Sequence, residues 1–296
     1  MYKRLYGLTR NPFELSPDPG FFFPTRGHNE AFATLHYCVI RRRGFVVVTG
    51  EVGTGKTLMV RCLLDALAAG KIATAFVFNP QLSIVEFLSH VLTELHIPVR
   101  DRSKGEMLAS LNEFLLLRSR RGTTTVLVVD EAHLLSWELM EEIRLLTNLE
   151  TSQFKLLQIV MVGQPELDRK IDTEELRQLK QRIAMRCRLE PLKLQELRGY
   201  IHRRLELAGA PAQGTKIFSE SAIEAIHRCS RGIPRLVNTL CENSLVGGYG
   251  KQIKEITPEI VHECAHDLHL SGSLEPALVT SEWHDTRVRA MAGASD

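Results

Sequence analysis

A short run of residues, Gly50-Glu51-Val52-Gly53-Thr54-Gly55-Lys56-Thr57-Leu58, has the types and spacing that hold a nucleotide phosphate. It follows the apolar run FVVVTG (45–50) and opens a helical pattern that extends to about Ala69. Glycines in such a turn let backbone N–H groups curl around phosphate oxygens, and a helix N-terminus favours negative charge. Lys56 is placed to reach the β- and γ-phosphates and Thr57 to hold Mg²⁺. The run VLVVDEAHLL supplies the second half of the chemistry. Asp130 ends an apolar strand where its carboxylate can join the metal shell, and Glu131 beside it is the acid that an attacking water needs as base or orienter.

Other polar residues stand where a phosphate site can use them. Gln164, in MVGQPEL, sits at the tip of a further strand; it either senses the γ-phosphate or positions water, or it satisfies a turn before Pro165. Downstream, LRQLKQRIAMRCRLEPL offers Arg182, and second Arg177, as a finger reaching a neighbour's nucleotide, because a guanidinium fork spreads over phosphate oxygens. In SRGIPRLVNTL, Gly232 ends one helix, Pro234 begins the next and Arg235 occupies its first turn. A cation there opposes the helix dipole at a cost of about 0.3–1 kcal/mol, which a bound phosphate would offset.

Positioning these groups takes alternating strands and helices. Apolar strands are predicted at 45–50, 72–79, 125–130 and 156–163, with a shorter one near CRLEPL (187–192). Helices are predicted at 28–42, at 83–95, at 105–119 and at 137–149. Strands that are apolar throughout and separated by helices form a parallel sheet covered on both faces. The strand between the phosphate loop and Asp130 places strand four between strands one and three. After Gln195 the pattern is helical only, near 195–208, 221–230, 234–246 and 258–269, with a capping box at Ser221-x-x-Glu224 and an N-cap at Thr257-Pro258. The expected division is an ordered N-terminal arm over 1–27 lying on the next domain, an α/β nucleotide-binding core over 28–192, a small helical lid over 193–270, and a loose tail over 271–296.

Composition is that of a globular protein, with 44% hydrophobic and 24% charged residues and a formal net charge of +2. Nothing global therefore points to nucleic acid or to an acidic surface. Six scattered cysteines without a C-x-x-C pair read as reduced thiols of a cytosolic protein. The N-terminus lacks a signal-peptide core, and no apolar run approaches the ~18 residues of a membrane span. The expected location is cytoplasmic, with any membrane reached through a partner.

Three further patterns invite other readings. DEAH (130–133) beside a phosphate loop suggests an RNA helicase, but such helicases need two sheet domains and one is legible here. HECAH (262–266), with His269 beyond, matches a zinc-protease spacing. There Ile260, Cys264 and Leu268 form the apolar stripe of a small helix, which turns His262, His266 and His269 to water. Arg41-Arg42-Arg43 and Arg118-Ser119-Arg120-Arg121 each precede a strand and so share the rim opposite the phosphate loop. They are either solvated loops or a patch for DNA, acidic lipid or an acidic partner.

Together these pieces resemble the AAA+ ATPases, and within them the general secretion pathway protein A (ExeA-type) family. The resemblance runs over about residues 1–270 and lies in NPFELSPDPGFFFPTRGHNEAFATLHYCVIRRRGFVVVTGEVGTGKT, VLVVDEAHLL, QIVMVGQPEL, LKQRI and GIPRLVN. It implies a Walker A motif at Gly50–Thr57, Walker B at Asp130-Glu131, a sensor 1 position at Gln164, the arginine-finger region at Arg182 and sensor 2 at Arg235. ATP and Mg²⁺ are the implied cofactors and an ATP-dependent homo-oligomeric ring the implied assembly. Members of that family commonly continue into a membrane span and a periplasmic wall-binding domain, whereas this chain continues past the lid only over 271–296. That implies a stand-alone ATPase that assembles or remodels a secretion, pilus or exopolysaccharide-export system through an envelope partner. The helper ATPases of some transposons look similar, so an ATP-dependent DNA-binding switch is the alternative.

Overall fold

The computed structural model describes residues 1–14, 18–68, 72–78, 81–99, 101, 103–210 and 217–270. The expected tail, 271–296, lies outside them. Five parallel strands form one sheet: β1 (Phe45–Gly50), β2 (Ala73–Val77), β3 (Thr125–Val129), β4 (Leu157–Gly163) and β5 (Ile183–Leu189). Their order is β2-β3-β4-β1-β5, so strand four lies between strands one and three as expected.

Period-2 alternation divides the sheet between two apolar layers. Phe45 and Val47 of β1, Leu127 and Val129 of β3, and Ile159 and Met161 of β4 face one layer. It is completed by α4 (Ile84–Glu94), α5 (Lys104–Arg120) and α6 (Trp137–Leu146). Val46 and Val48, Val126 and Val128, and Val160 and Val162 face the other layer. It is completed by α2 (Arg26–Ile40), which follows the short α1 (Lys3–Tyr6) of the N-terminal arm, and by α3 (Lys56–Ala68), the helix that the phosphate loop opens. The three central strands are buried along their whole length, which is why they read as unbroken apolar runs.

The edge strand β5 begins four residues earlier than CRLEPL suggests. In it only Cys187 and Leu189 are buried; its apolar start, Ile183–Met185, is half-buried or exposed and is broken off from the buried pair by Arg186. Two short helices, α7 (Pro165–Ile171) and α8 (Arg177–Lys180), fill the crossover before it. The first is started by Pro165 at its first position and by acidic residues in its first turn.

Four helices follow: α9 (Leu194–Leu207), α10 (Glu220–Ser230), α11 (Pro234–Gly250) and α12 (Pro258–Asp267). Thr257 is the N-cap of α12, as read. The N-cap of α10 is Ser219, two residues before the expected capping box, and its hydroxyl accepts from Ala222 N–H at 3.1 Å. Glu224 is drawn elsewhere, into an ion pair with Arg198 at 3.3 Å.

These helices enclose a third apolar cluster, and the N-terminal arm belongs to it. Tyr2, Tyr6, Leu8 and Phe13 are buried among Leu197, Ile201, Leu205, Ile226 and Leu240. This corrects the expectation that the arm lies on the α/β core. Hydrogen bonds give the reason: Tyr2 Oη donates to Glu242, Tyr6 Oη to the Ile253 carbonyl at 2.9 Å, and Thr9 Oγ1 to the Ala208 carbonyl at 2.8 Å. The phenylalanine run then bridges the layers, with Phe22 packed against the sheet side and Phe23 against the helical side. Among the described residues no helix is long and apolar enough to cross a membrane.

Candidate active site

The phosphate loop sits at the carboxyl end of β1, where the last strand residue, Gly50, hands over to a loop that ends in α3. Lys56, the first residue of α3, folds back so that its Nζ donates to the carbonyls of Gly50 (2.8 Å) and Glu51 (2.9 Å). Burial pulls the Lys56 ammonium below the usual lysine range, and the carboxylates of Glu131, Asp130 and Glu51 oppose that pull. Thr54 is buried and donates from Oγ1 to the Glu51 carbonyl at 2.8 Å, which closes the loop on itself.

Thr57 Oγ1 donates to Asp130 Oδ2 at 2.7 Å, and Asp130 Oδ1 accepts from the Glu131 N–H at 2.9 Å. Asp130 therefore presents one oxygen to the threonine hydroxyl and uses the other to fix the turn after β3. A hydroxyl and a carboxylate side by side are hard oxygen donors, the set Mg²⁺ takes when phosphate and water complete its shell. The residues present fit that ion. Glu131 stands at φ 50°, in the left-handed region where a non-glycine residue is strained, and its side chain stays half-exposed.

Val52, Gly53, Gly55, Lys56, Thr57 and Leu58 line a cavity of about 330 Å³, and Glu131 reaches it from β3. The opposite wall is the lid. Arg235 lines the same cavity from the first turn of α11, and its backbone N–H donates to the Gly53 carbonyl at 3.3 Å. The hinge that brings it there is tight, because a Cβ on Gly232 would stand 2.1 Å from the Leu192 carbonyl oxygen.

Gln164, the N-cap residue of α7, is not among the residues lining that cavity. Its Nε2 lies 3.0 Å from His133 Nε2, and His133 Nδ1 lies 3.6 Å from Glu131 Oε2. His133 Nδ1 also accepts from the Gln164 backbone N–H at 3.5 Å, so Gln164 touches both ring nitrogens. Gln164 thus meets Glu131 through a histidine that the sequence reading passed over as part of DEAH.

Arg182 is exposed and stands immediately before β5, beside the amino end of β1. The phosphate loop follows the other end of β1, six residues away at about 3.3 Å each, roughly 20 Å. Arg182 therefore does not meet its own chain's site. It lines a separate open cleft of about 420 Å³ with Arg144, Arg177, Gln178 and Gln181.

Two further features escaped the sequence reading. His28, buried on α2, donates from Nε2 to the Thr54 carbonyl at 3.2 Å and pairs through Nδ1 with Thr25 Oγ1 at 2.7 Å, so it props the loop from behind. Arg204, on α9, is a buried guanidinium on the cavity wall. Neither has a local motif; each is polar in a segment whose periodicity reads as an ordinary helix.

The basic runs do share the rim opposite the phosphate loop, but three of their cations are engaged within the chain. Arg42 donates to the Thr123 carbonyl at 3.2 Å and lies 4.6 Å over the Phe154 ring, Arg43 donates to Tyr37 Oη at 3.0 Å, and Arg118 lies 5.9 Å over the Phe114 ring. Of the histidines on α12, His266 and His269 face water as read, whereas His262 is half-buried and its Nε2 has no partner among the described residues. Among the described residues, no three His, Cys, Asp or Glu side chains converge on a common metal position.

A parallel sheet with strand four between strands one and three, a phosphate loop after β1, an acidic pair after β3 and a helical lid on the loop define the AAA+ class of P-loop nucleotide-binding proteins. Residues 40–171 match the AAA domain family. The chain carries the fold and motif set of the AAA+ ATPases, and in sequence it is similar to general secretion pathway protein A. It is 37% identical, over 99% of its length, to General secretion pathway protein A of Aeromonas hydrophila. It spans about half that relative, 52% of its length. A shorter likeness, 31% identity over 42% of the chain and 41% of the relative, is to the Mu-like prophage FluMu DNA transposition protein B of Haemophilus influenzae. In fold it is similar to the ORC2 protein of Aeropyrum pernix, with a TM-score of 0.63 at 16% identity over 87% of this chain and 71% of that one.

Proposed function

We propose that this chain binds ATP with Mg²⁺, hydrolyses it to ADP and phosphate, and uses the cycle to assemble or remodel a secretion, pilus or exopolysaccharide-export system. The observation that carries the reading is the convergence of Lys56, Thr57, Glu131 and Arg235 on one cavity, from the sheet on one side and the lid on the other. Lys56 leaves the loop carbonyls for the β- and γ-phosphates, and the backbone N–H groups of residues 51–57 cradle them. Thr57 and Asp130 would hold the metal ion, which would supply charge neutralisation to the phosphates. Glu131 takes the proton of the attacking water, and Gln164 acts with it through His133. Arg235 couples the γ-phosphate to lid closure. Arg182, with Arg177 beside it, completes the site of the next subunit in a ring, since it stands roughly 20 Å from its own.

The arm (1–27), core (28–192) and lid (193–270) are the mechanical units of this reading. The chain works on the cytoplasmic side and meets the envelope through a protein partner; the likeness to General secretion pathway protein A supports that setting. Steady-state phosphate release tests the chemistry. Wild type turns over ATP, Lys56→Ala loses binding, and Glu131→Gln keeps binding while turnover falls about 10²-fold or more. Equal turnover in Glu131→Gln and wild type would remove Glu131 from its role.

A second reading, an ATP-dependent DNA-binding helper of transposition, is favoured by the likeness to DNA transposition protein B and by Arg41, Arg120 and Arg121 on the exposed rim. Internal engagement of Arg42 and Arg43 weakens it. Anisotropy of duplex DNA with Glu131→Gln protein, ATP and Mg²⁺ across a salt series separates the two, because phosphate contacts make affinity fall steeply with salt.

A further inference from the structure

Arg204 presents a problem that the hydrolytic machinery does not solve. It is 6% exposed, yet among the described residues its guanidinium forms no ion pair, although Glu14 and Asp18 line the same cavity, and its Nε has no hydrogen-bond partner. One terminal nitrogen donates to the Pro12 carbonyl at 2.6 Å. The rest of the cation is sandwiched by rings, 4.8 Å from the centre of Phe21 and 5.1 Å from that of Tyr200. Ring faces offset part of the cost of burying a guanidinium, but a buried cation without a counter-ion remains expensive.

Its position supplies the missing partner. The phosphate cavity adjoins a smaller aromatic one walled by Phe21, Phe22, Phe23 and His28, and Arg204 lines both. Gly55, Leu58, Tyr200 and Pro234 are shared by the two cavities as well, so these residues mark their junction. A nucleotide whose β- and γ-phosphates lie on Lys56 and whose base lies among the aromatic side chains crosses that junction at the phosphate nearest its ribose. Resting on the nucleotide reading above, we propose that Arg204 binds that phosphate, and that the contact fastens the N-terminal arm over the occupied site. The arm is already held at one ring, because both Arg10, at 4.4 Å, and Arg204, at 4.8 Å, lie over Phe21.

The contact falls on the part that ATP and ADP share. Titration of the full chain with Mg-ATP and with Mg-ADP therefore reads it directly. Arg204→Gln is expected to weaken both nucleotides by the same factor, about tenfold or more, as loss of a charge-assisted hydrogen bond should. Arg204→Lys keeps charge and stem but loses the fork, and it falls between Arg204→Gln and wild type. Trypsin cleavage after Arg10 gives an independent readout: nucleotide slows it in wild type and leaves it unchanged in Arg204→Gln. Affinities within about twofold of wild type in both variants, with undiminished protection at Arg10, would make Arg204 a strut of the arm alone and overturn the proposal. Failure of wild type to bind either nucleotide in the same titration would instead overturn the nucleotide reading, and this proposal with it.

Discussion

Gly53 and Arg235 are in backbone contact: a Cβ added to Gly53 would lie 2.7 Å from the Cβ of Arg235. The lid therefore rests on the phosphate loop itself, without a side chain between them. Gly53 also stands at φ 82°, a conformation that costs an L-residue about 1–3 kcal/mol. Gly53→Ala is expected to push the lid off the loop and weaken ATP about tenfold, with a melting temperature lower by a few degrees. Isothermal titration with a thermal scan checks it. An unchanged affinity would show that the lid contact does not shape the site.

The pair of contacts made by His133 gives a second prediction. If His133 couples Gln164 to Glu131, then His133→Ala and Gln164→Ala each slow turnover about tenfold and leave ATP affinity near wild type. The double variant is no slower than the worse single one, because both remove one coupling. Additive losses in a double-mutant cycle would mean that the two residues act separately.

Arg182 stands roughly 20 Å from its own chain's phosphate loop, and the proposed ring has it act on the neighbouring subunit. Arg182→Ala is expected to bind ATP normally and lose about 10³-fold in turnover, with Arg177→Ala losing less. Glu131→Gln and Arg182→Ala proteins are each inactive alone. Mixed, they regain part of the activity, because some sites receive an intact Glu131 from one chain and an intact Arg182 from its neighbour. A mixture as inactive as its parts would place the finger elsewhere.

His28 makes stability depend on pH. Burial holds its pKa below the ordinary 6.5, with the Thr54 carbonyl and Glu196 opposing. The folded state thus takes up its proton later than the unfolded chain does. This contribution to stability is complete above about pH 6.5 and is lost as pH falls from there through the lowered folded value. Melting temperatures from pH 8 to pH 5 should fall below pH 6.5 in wild type and fall less in His28→Gln. Parallel curves would assign the acid sensitivity to other groups.

Much of this protein was legible in its residues alone. The phosphate loop, the acidic pair and the central strands are each written within one continuous segment, as are the helix starts at Pro234 and Pro258. Local chemistry decides them: a glycine-rich turn before a helix, a carboxylate ending an apolar strand, a proline at a first helical position. What the local pattern could not decide is which distant segments meet. Tyr2 and Tyr6 look equally able to cover the sheet or the lid, and hydrogen bonds to Glu242 and Ile253 settle the choice. Ser219 rather than Ser221 caps α10, and Glu224 pairs with Arg198 on α9. Arg42 reads as a free surface cation until the fold brings Phe154 and Thr123 beneath it. Arg204 reads as one more arginine on an amphipathic helix, and only the tertiary structure buries it, without a counter-ion, against the site. Chemistry carried by neighbours in sequence follows from short-range covalent geometry, whereas burial and pairing across the chain depend on how three apolar layers close on one another.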